Sequence, residues 1–247
     1  MSFLFQSDID YESEPKNLYL KKAQLDWKSP VGKITLGMQG MNVFNVTEKN
    51  WGFRFIEKSP MDRHGFSSSA DMGVGYSGKF SDLSFSLLIT NGTGYKKQED
   101  DKRKKISLQG VYGQKKLDEK DGFNIGTSLS IEQYGKWPVE TDQGVPEGQW
   151  VHCNKRLMSF FGGYAGSGLR IGGEFDMYID DTPMFVKNPT KLIMALYTSY
   201  KAMDNLEGLI YIDMYDPDTG TEKDIETYII AGMNYYPGKG LIITPNI

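Results

Sequence analysis

The clearest pattern along the chain is an alternation of apolar and polar residues that runs over 70–80 and resumes over 83–90. The apolar positions are Ala70, Met72, Val74 and Tyr76, then Leu83, Phe85, Leu87 and Ile89; only Leu88 breaks the second run. A period of two on both sides of a tight turn predicts an antiparallel hairpin. Each run is about ten residues long, the length of a tilted strand that crosses a bilayer.

The same pattern recurs along the whole chain. Thirteen segments alternate in this way, at about 2–10, 17–28, 33–39, 70–80, 83–90, 105–112, 123–132, 158–164, 169–179, 191–202, 208–215, 224–235 and from 240 onward. Short connections alternate with longer ones, the longest at about 42–68, 92–103 and 134–156. This rhythm is typical of a membrane barrel with tight turns at one end and long loops at the other. Aromatic residues near segment ends fit the aromatic girdles of such barrels. They are Tyr19, Trp27, Tyr76, Tyr112, Tyr134, Tyr164, Tyr200, Tyr215, Tyr235 and Tyr236.

Composition narrows the function classes. No apolar run approaches 18 residues, which excludes a membrane helix but permits a barrel whose strands are polar on one face. The net charge of −4 argues against a nucleic-acid binder. Cys153 is the single cysteine, so it forms no internal disulfide and belongs to no metal-ligand pattern. The sequence predicts no metal and no cofactor.

The predicted fold is all-β: a single, antiparallel, up-and-down transmembrane β-barrel domain over 1–247, with about thirteen strands. In the ninth segment we expect Leu169, Ile171, Phe175 and Met177 to face outward. Bacterial single-chain barrels have an even number of strands. We therefore expect a partial barrel of 14–16 strands, with at least one strand after Ile247 and a leader before Met1.

Six short motifs follow one another over the first part of the chain: FQSD at 5–8, LKKAQLD at 20–26, ITLGMQ at 34–39, RFIEKS at 54–59, MGVGYSG at 72–78 and TNGTGY at 90–95. In this order and spacing, the stretch from Phe3 to Tyr95 resembles the phosphate-selective porin O/P family of bacterial outer-membrane barrels. The resemblance implies an outer-membrane homotrimer of barrels with about sixteen strands. It also implies passage of small solutes through a constriction built partly by an inward-folded loop.

The resemblance places that constriction loop at 42–68. The aromatic residues of this connection would hold it against the wall, and its charged residues would reach the lumen: Arg54, Glu57, Lys58, Asp62 and Arg63. The alternative is a charged external loop that contacts nothing. On the wall, the alternation assigns to the lumen Lys22, Lys33, Asp71, Lys79, Lys105, Glu132, Arg170, Glu174 and Asp176, together with Asp8, Asp10 and Asp26. This lining is mixed and slightly acidic, whereas an anion-selective pore needs a basic one.

The sequence therefore predicts a porin for passive diffusion of small hydrophilic solutes or ions, with outer-membrane lipid as its surroundings. Two alternatives stay open: a barrel without transport activity, either an enzyme or a structural or adhesive protein, and a soluble ligand-binding β protein. We expect no enzyme, because His64 and His152 are far apart and no serine or cysteine motif surrounds them. The stretch 216–220 loosely resembles a calcium loop, but an acidic turn is the better interpretation.

Overall fold

A computed structural model describes residues 1–10, 16–99, 102–136, 151–181 and 189–247. Thirteen strands form one antiparallel sheet in chain order. Their bounds are β1 Ser2–Asp10, β2 Asn17–Ser29, β3 Gly32–Gly40, β4 Ala70–Phe80, β5 Leu83–Thr90, β6 Lys105–Gly113, β7 Gly122–Lys136, β8 Val151–Gly166, β9 Leu169–Asp181, β10 Thr190–Met203, β11 Leu206–Asp216, β12 Glu226–Gly238 and β13 Leu241–Ile243.

The predicted all-β, up-and-down fold of thirteen strands is confirmed. The sheet is not closed, because β1 and β13 are its two edges and do not pair with each other. The predicted connection at 134–156 is too long, since β7 continues to Lys136 and β8 begins at Val151. Trp137 and Trp150, which fall within that predicted connection, lie outside the described residues. No helix among the described residues is long and apolar enough to cross a membrane.

One face of the sheet is an apolar belt. Phe175, at the middle of β9, keeps 38% of its surface exposed, as do Leu169 and Ile171, and the predicted outward orientation of this strand is confirmed. Near the short turns the belt carries exposed aromatic side chains on several strands: Trp27, Tyr112, Tyr164, Tyr200 and Tyr235. Aromatic rings at this level are typical of the membrane–water interface.

The opposite face is polar, and its side chains are shielded from bulk water. Buried serine, threonine, amide and charged side chains follow one another along the inner face, among them Ser84, Ser107, Gln109, Asn124, Ser128, Ser159 and Ser199. This is the reverse of a soluble sandwich, which buries its apolar face. Three tyrosines of the predicted girdle point inward instead. Tyr215 stacks on His64, Tyr19 contacts Tyr95, and the Tyr236 hydroxyl donates to the Glu207 carboxylate.

The connection between β3 and β4, residues 41–69, folds against the inner face, and we call it the inward loop. It contains two short helices, α1 Thr47–Trp51 and α2 Pro60–Arg63. Gly52 ends α1 with φ of 78°, a conformation that favours glycine. The buried apolar core of the protein lies between this loop and the wall.

Candidate functional site

Apolar contacts fix the inward loop to the wall at three places. Trp51 and Phe53 pack on an apolar patch of β10–β12, made of Tyr197, Leu209, Tyr211 and Ile230. Met41, Val43, Phe44, Met61 and Phe66 pack on Leu88, Leu157 and Ile193, and Val46 packs on Val111 and Phe161. Full burial of one such side chain stabilises a structure by about 1.5–3 kcal/mol. The loop is therefore held firmly inside the curve of the sheet.

Amide side chains orient the loop further. The Nδ2 group of Asn42 donates to the hydroxyl of Ser86 at 2.9 Å. The Nε2 group of Gln109 donates to the carbonyl oxygen of Asn42 and to Oδ1 of Asn45. Asn50 and Asn124 exchange two hydrogen bonds, of 2.9 and 2.8 Å. Buried amides need such partners, because an unpaired polar group costs free energy.

Arg63, one of the five charged residues predicted to line a constriction, contacts the wall directly. Its guanidinium lies 3.2 Å from the carboxylate of Asp213 on β11 and 3.5 Å from the ring centre of Tyr228. His64 approaches the same carboxylate at 2.8 Å. Asp213 is fully buried, so the Arg63 guanidinium compensates its charge, and the His64 ring supplies a further polar contact.

Arg54 pairs within the inward loop rather than with the wall. Its guanidinium contacts two acids of the loop itself, Glu48 and Asp62, the latter at 2.7 Å. Burial lowers the pKa of Arg54, but the hydrogen bond with Asp62 and the charges of both acids outweigh burial, so the pKa is raised. Arg54 and Asp62 therefore form an ion pair within the loop.

Glu57 and Lys58 complete the predicted set. The Glu57 carboxylate accepts a hydrogen bond from the Tyr228 hydroxyl at 3.3 Å and lies 4.0 Å from Arg63. The Lys58 side chain is exposed, while its carbonyl oxygen accepts a bond from the Tyr211 hydroxyl at 3.4 Å.

Several of the predicted wall residues lie beneath the inward loop or at its ends. Glu174 and Asp176 are buried at 5% and 0% exposure, and Glu174 is beside Thr47 of α1. Arg170 lies over the ring of Phe53 at 4.4 Å. These side chains belong to the contact between loop and wall.

Two further wall groups form polar clusters. Lys105 is buried and contacts Glu132 at 3.6 Å, and Glu132 also pairs with Lys155 at 3.0 Å. The Asp71 carboxylate accepts backbone N–H groups of Met72 and Gly92, so it fixes the turn that follows β5.

Three further wall residues, Lys22, Lys33 and Lys79, border open space. A cavity of about 360 Å³ between the loop and β1–β3 is lined by Lys21, Lys22, Gln24, Glu48 and Arg54. A second cavity, of about 280 Å³, is lined by polar side chains that include Lys33, Gln39, Asn45, Gln109 and Lys115. Lys79 is exposed at the short-turn end of β4. The open space inside the sheet therefore lies on the side of β1–β5, away from the apolar patch.

The stretch 216–220 forms an acidic turn. The Asp216 carboxylate accepts the backbone N–H of Asp218, and the Asp218 carboxylate accepts that of Gly220. Among the described residues, no group of three or more His, Cys, Asp or Glu side chains is arranged to hold a metal ion.

No family model matches the chain, and no curated protein matches it. Solved structures do match. OmpT of Vibrio cholerae, an outer membrane protein in trimer form, has a TM-score of 0.66 at 14% identity, over 96% of this chain and 72% of that one. Salmonella typhi OmpF in complex with daunomycin has a TM-score of 0.63 at 15% identity, over 93% of this chain and 70% of that one.

The chain has the fold of an outer-membrane β-barrel. Together with the apolar belt, this fold assigns it to the bacterial outer membrane. At such low identity the comparisons establish the fold alone, and the narrower resemblance to the phosphate-selective porin O/P family stays a prediction. The soluble ligand-binding alternative is inconsistent with the belt.

Sequence reasoning did not identify the docking residues of the inward loop, although a signal was present. Leu88, the one residue that breaks the alternation of β5, is an inner-face contact of the loop. The alternation of β10–β12 is weak because these strands are apolar on both faces where the loop packs. An apolar residue at an inner position thus marks a docking position.

Proposed function

We propose that the chain forms a water-filled channel in the outer membrane through which small hydrophilic solutes or ions diffuse. The observation that carries this proposal is the partial filling of a polar interior. The inward loop packs on inner-face residues of β5–β12 and leaves two polar cavities beside β1–β5. A barrel whose role is only structural has no need for a loop that narrows, but does not fill, its interior.

We propose in addition that the channel is a homotrimer, for which the trimeric form of one structural neighbour is the support. No catalytic role is assigned. The pair that could suggest one, His64 and Asp213, holds the loop on the wall together with Arg63.

Single-channel recording in planar bilayers tests the proposal. We expect discrete conductance steps, and a trimer should close in three equal steps. Charge reversal Lys22→Glu, in the larger cavity, should shift the reversal potential under a salt gradient, because a charge near a narrow passage changes the local ion concentrations. The control is Lys223→Glu, at an exposed position between β11 and β12.

The alternative, a barrel without transport activity, predicts no conductance from folded protein. An equal shift of the reversal potential in Lys22→Glu and Lys223→Glu would contradict the assignment of the larger cavity to the passage.

A further inference from the structure

The apolar belt carries a groove on the outer face of β10–β12. Its volume is about 510 Å³, and its walls include Thr198, Tyr200, Ile210 and Met233. Gly208 lies at its centre, because its backbone pairs with Tyr200 on one side and with Met233 on the other. Directly paired residues of an antiparallel sheet share one face. The groove therefore opens toward the lipid and not toward the lumen.

The groove exists because small residues stand where the belt elsewhere carries large ones. A Cβ atom added to Gly208 would have no heavy atom of the described residues within 4 Å. Ala231, which also lines the groove, continues the depression toward β12. Beyond it, Leu196 and Ile229 are large and exposed. An empty gap would cost the lining atoms their dispersion contacts, so the space above Gly208 favours an occupant from the surroundings.

The chemistry of the groove is that of hydrocarbon. The Thr198 hydroxyl donates to the backbone carbonyl oxygen of Arg170 at 3.1 Å, so this polar group of the wall is already satisfied. The side chains of Ile210 and Met233 are apolar. The groove is also continuous with the belt, whose surroundings are the lipid chains of the membrane. Its nearest candidate occupant is therefore a lipid chain.

The groove also has the orientation of a lipid. One end is at Leu206, the first residue of β11, next to a short turn. Leu206 pairs with Tyr235, and the exposed rings of Tyr235 and Tyr200 belong to the aromatic girdle at the membrane–water interface. The other end is at Ile210, about 13 Å further along the strand and deeper in the membrane. Because short turns lie on the periplasmic side of such barrels, this lipid belongs to the periplasmic leaflet.

We propose that the groove is a phospholipid-binding site, in which one acyl chain of a lipid from the periplasmic leaflet lies over Gly208. The headgroup is then level with Tyr200 and Tyr235, whose hydroxyl groups can donate hydrogen bonds to its phosphate or ester oxygens. The chain fills the space that no side chain fills and gains the dispersion contacts that a gap would lose. The site goes beyond the proposed channel function and does not depend on it.

Two outward glycines near the short turns allow a matched test. Gly208→Leu places a side chain in the groove, and Gly110→Leu places the same side chain on the outer face of β6, between Phe85 and Thr127. At neither position would an added Cβ meet a heavy atom within 4 Å, so neither variant should clash. Circular dichroism in detergent checks that both fold.

Photochemical labelling locates the lipid. The proteins are placed in vesicles of dioleoylphosphatidylethanolamine that contain a small share of the same lipid with a diazirine in one acyl chain, and labelled residues are identified by mass spectrometry. In the unmodified protein we expect stronger labelling of Tyr200 and Met233 than of Tyr112, which is beside Gly110. Gly208→Leu should lower the labelling of Met233 about fivefold, because the new side chain replaces roughly ten carbon–carbon contacts of the lipid chain. Gly110→Leu should leave it unchanged.

Native mass spectrometry gives an independent measure of binding. After extraction into detergent with dioleoylphosphatidylethanolamine, the unmodified protein and Gly110→Leu should each retain one phospholipid per chain, and Gly208→Leu should retain none. Equal retention by the two variants would overturn the proposal. So would equal labelling around Gly208 and Gly110 in the unmodified protein, a result that decides the matter even if Gly208→Leu does not fold. A change of oligomeric state in Gly208→Leu alone would assign the groove to a second copy of the chain and would likewise refute the lipid site.

Discussion

At the scale of single residues, exposure separates the two faces of the sheet. Phe175 is exposed at the middle of β9, whereas its neighbours Glu174 and Asp176 are buried on the other face. A soluble protein has the opposite arrangement, with apolar side chains buried and charged side chains exposed. In a bilayer the arrangement of this sheet is the stable one, because lipid solvates the phenyl ring and the interior shields the carboxylates.

A charge at Phe175 should therefore be costly. We expect Phe175→Arg to reduce the free energy of unfolding by about 2–4 kcal/mol, the cost of arginine near the bilayer midplane. Tyr164→Arg, close to the short turn, should cost only about 0–1 kcal/mol. Urea unfolding from lipid vesicles measures both. Equal losses at the two positions would contradict the placement of the belt in the membrane.

At the scale of elements, the inward loop is the feature that the sequence predicted least completely. The strands and their outward faces follow from alternation, since the bilayer imposes one pattern on every strand. The docking residues of the loop do not follow from alternation, because Trp51 and Tyr197 are 146 positions apart and no periodicity connects them. The same holds for Lys49 and Asp118, whose contact depends on an inward turn that no local pattern indicates.

The ionic end of the loop can be tested separately from its apolar contacts. Asp213→Ala leaves Arg63 and His64 without their shared carboxylate, which should weaken loop docking by about 1–2 kcal/mol, since Arg63 is partly exposed. Limited proteolysis within residues 54–65 should then be roughly tenfold faster. Asp216→Ala, three residues further along the same chain segment, should leave cleavage unchanged. Cleavage that Asp213→Ala does not accelerate would show that the apolar contacts alone hold the loop.

At the scale of the whole molecule, the inward loop divides the interior into a packed half and an open half. The charges of the wall are divided in the same way. Glu174, Asp176 and Asp213 are buried in the packed half, and lysines border the open half. The sequence alone allows only a count of the charges along the strands. Such a count sums the charges of both halves and therefore does not give the net charge that lines the open half.

The stability of the packed half should depend on temperature in a way that the stability of the lipid-facing belt does not. The belt exchanges one apolar environment for another, whereas the loop core removes Trp51, Phe53 and their partners from lumen water. Burial from water carries a large heat-capacity change, and the stabilisation that it provides weakens on cooling.

We expect open-channel current noise, scaled to the conductivity of the electrolyte, to rise on cooling from about 25 °C to about 5 °C as the loop packs less firmly. Trp51→Ala should be noisy at both temperatures. Current noise that only falls on cooling would mean that hydrophobic burial does not hold the loop. Current noise that rises on cooling would mean that the packing of the loop on the wall becomes less stable at low temperature.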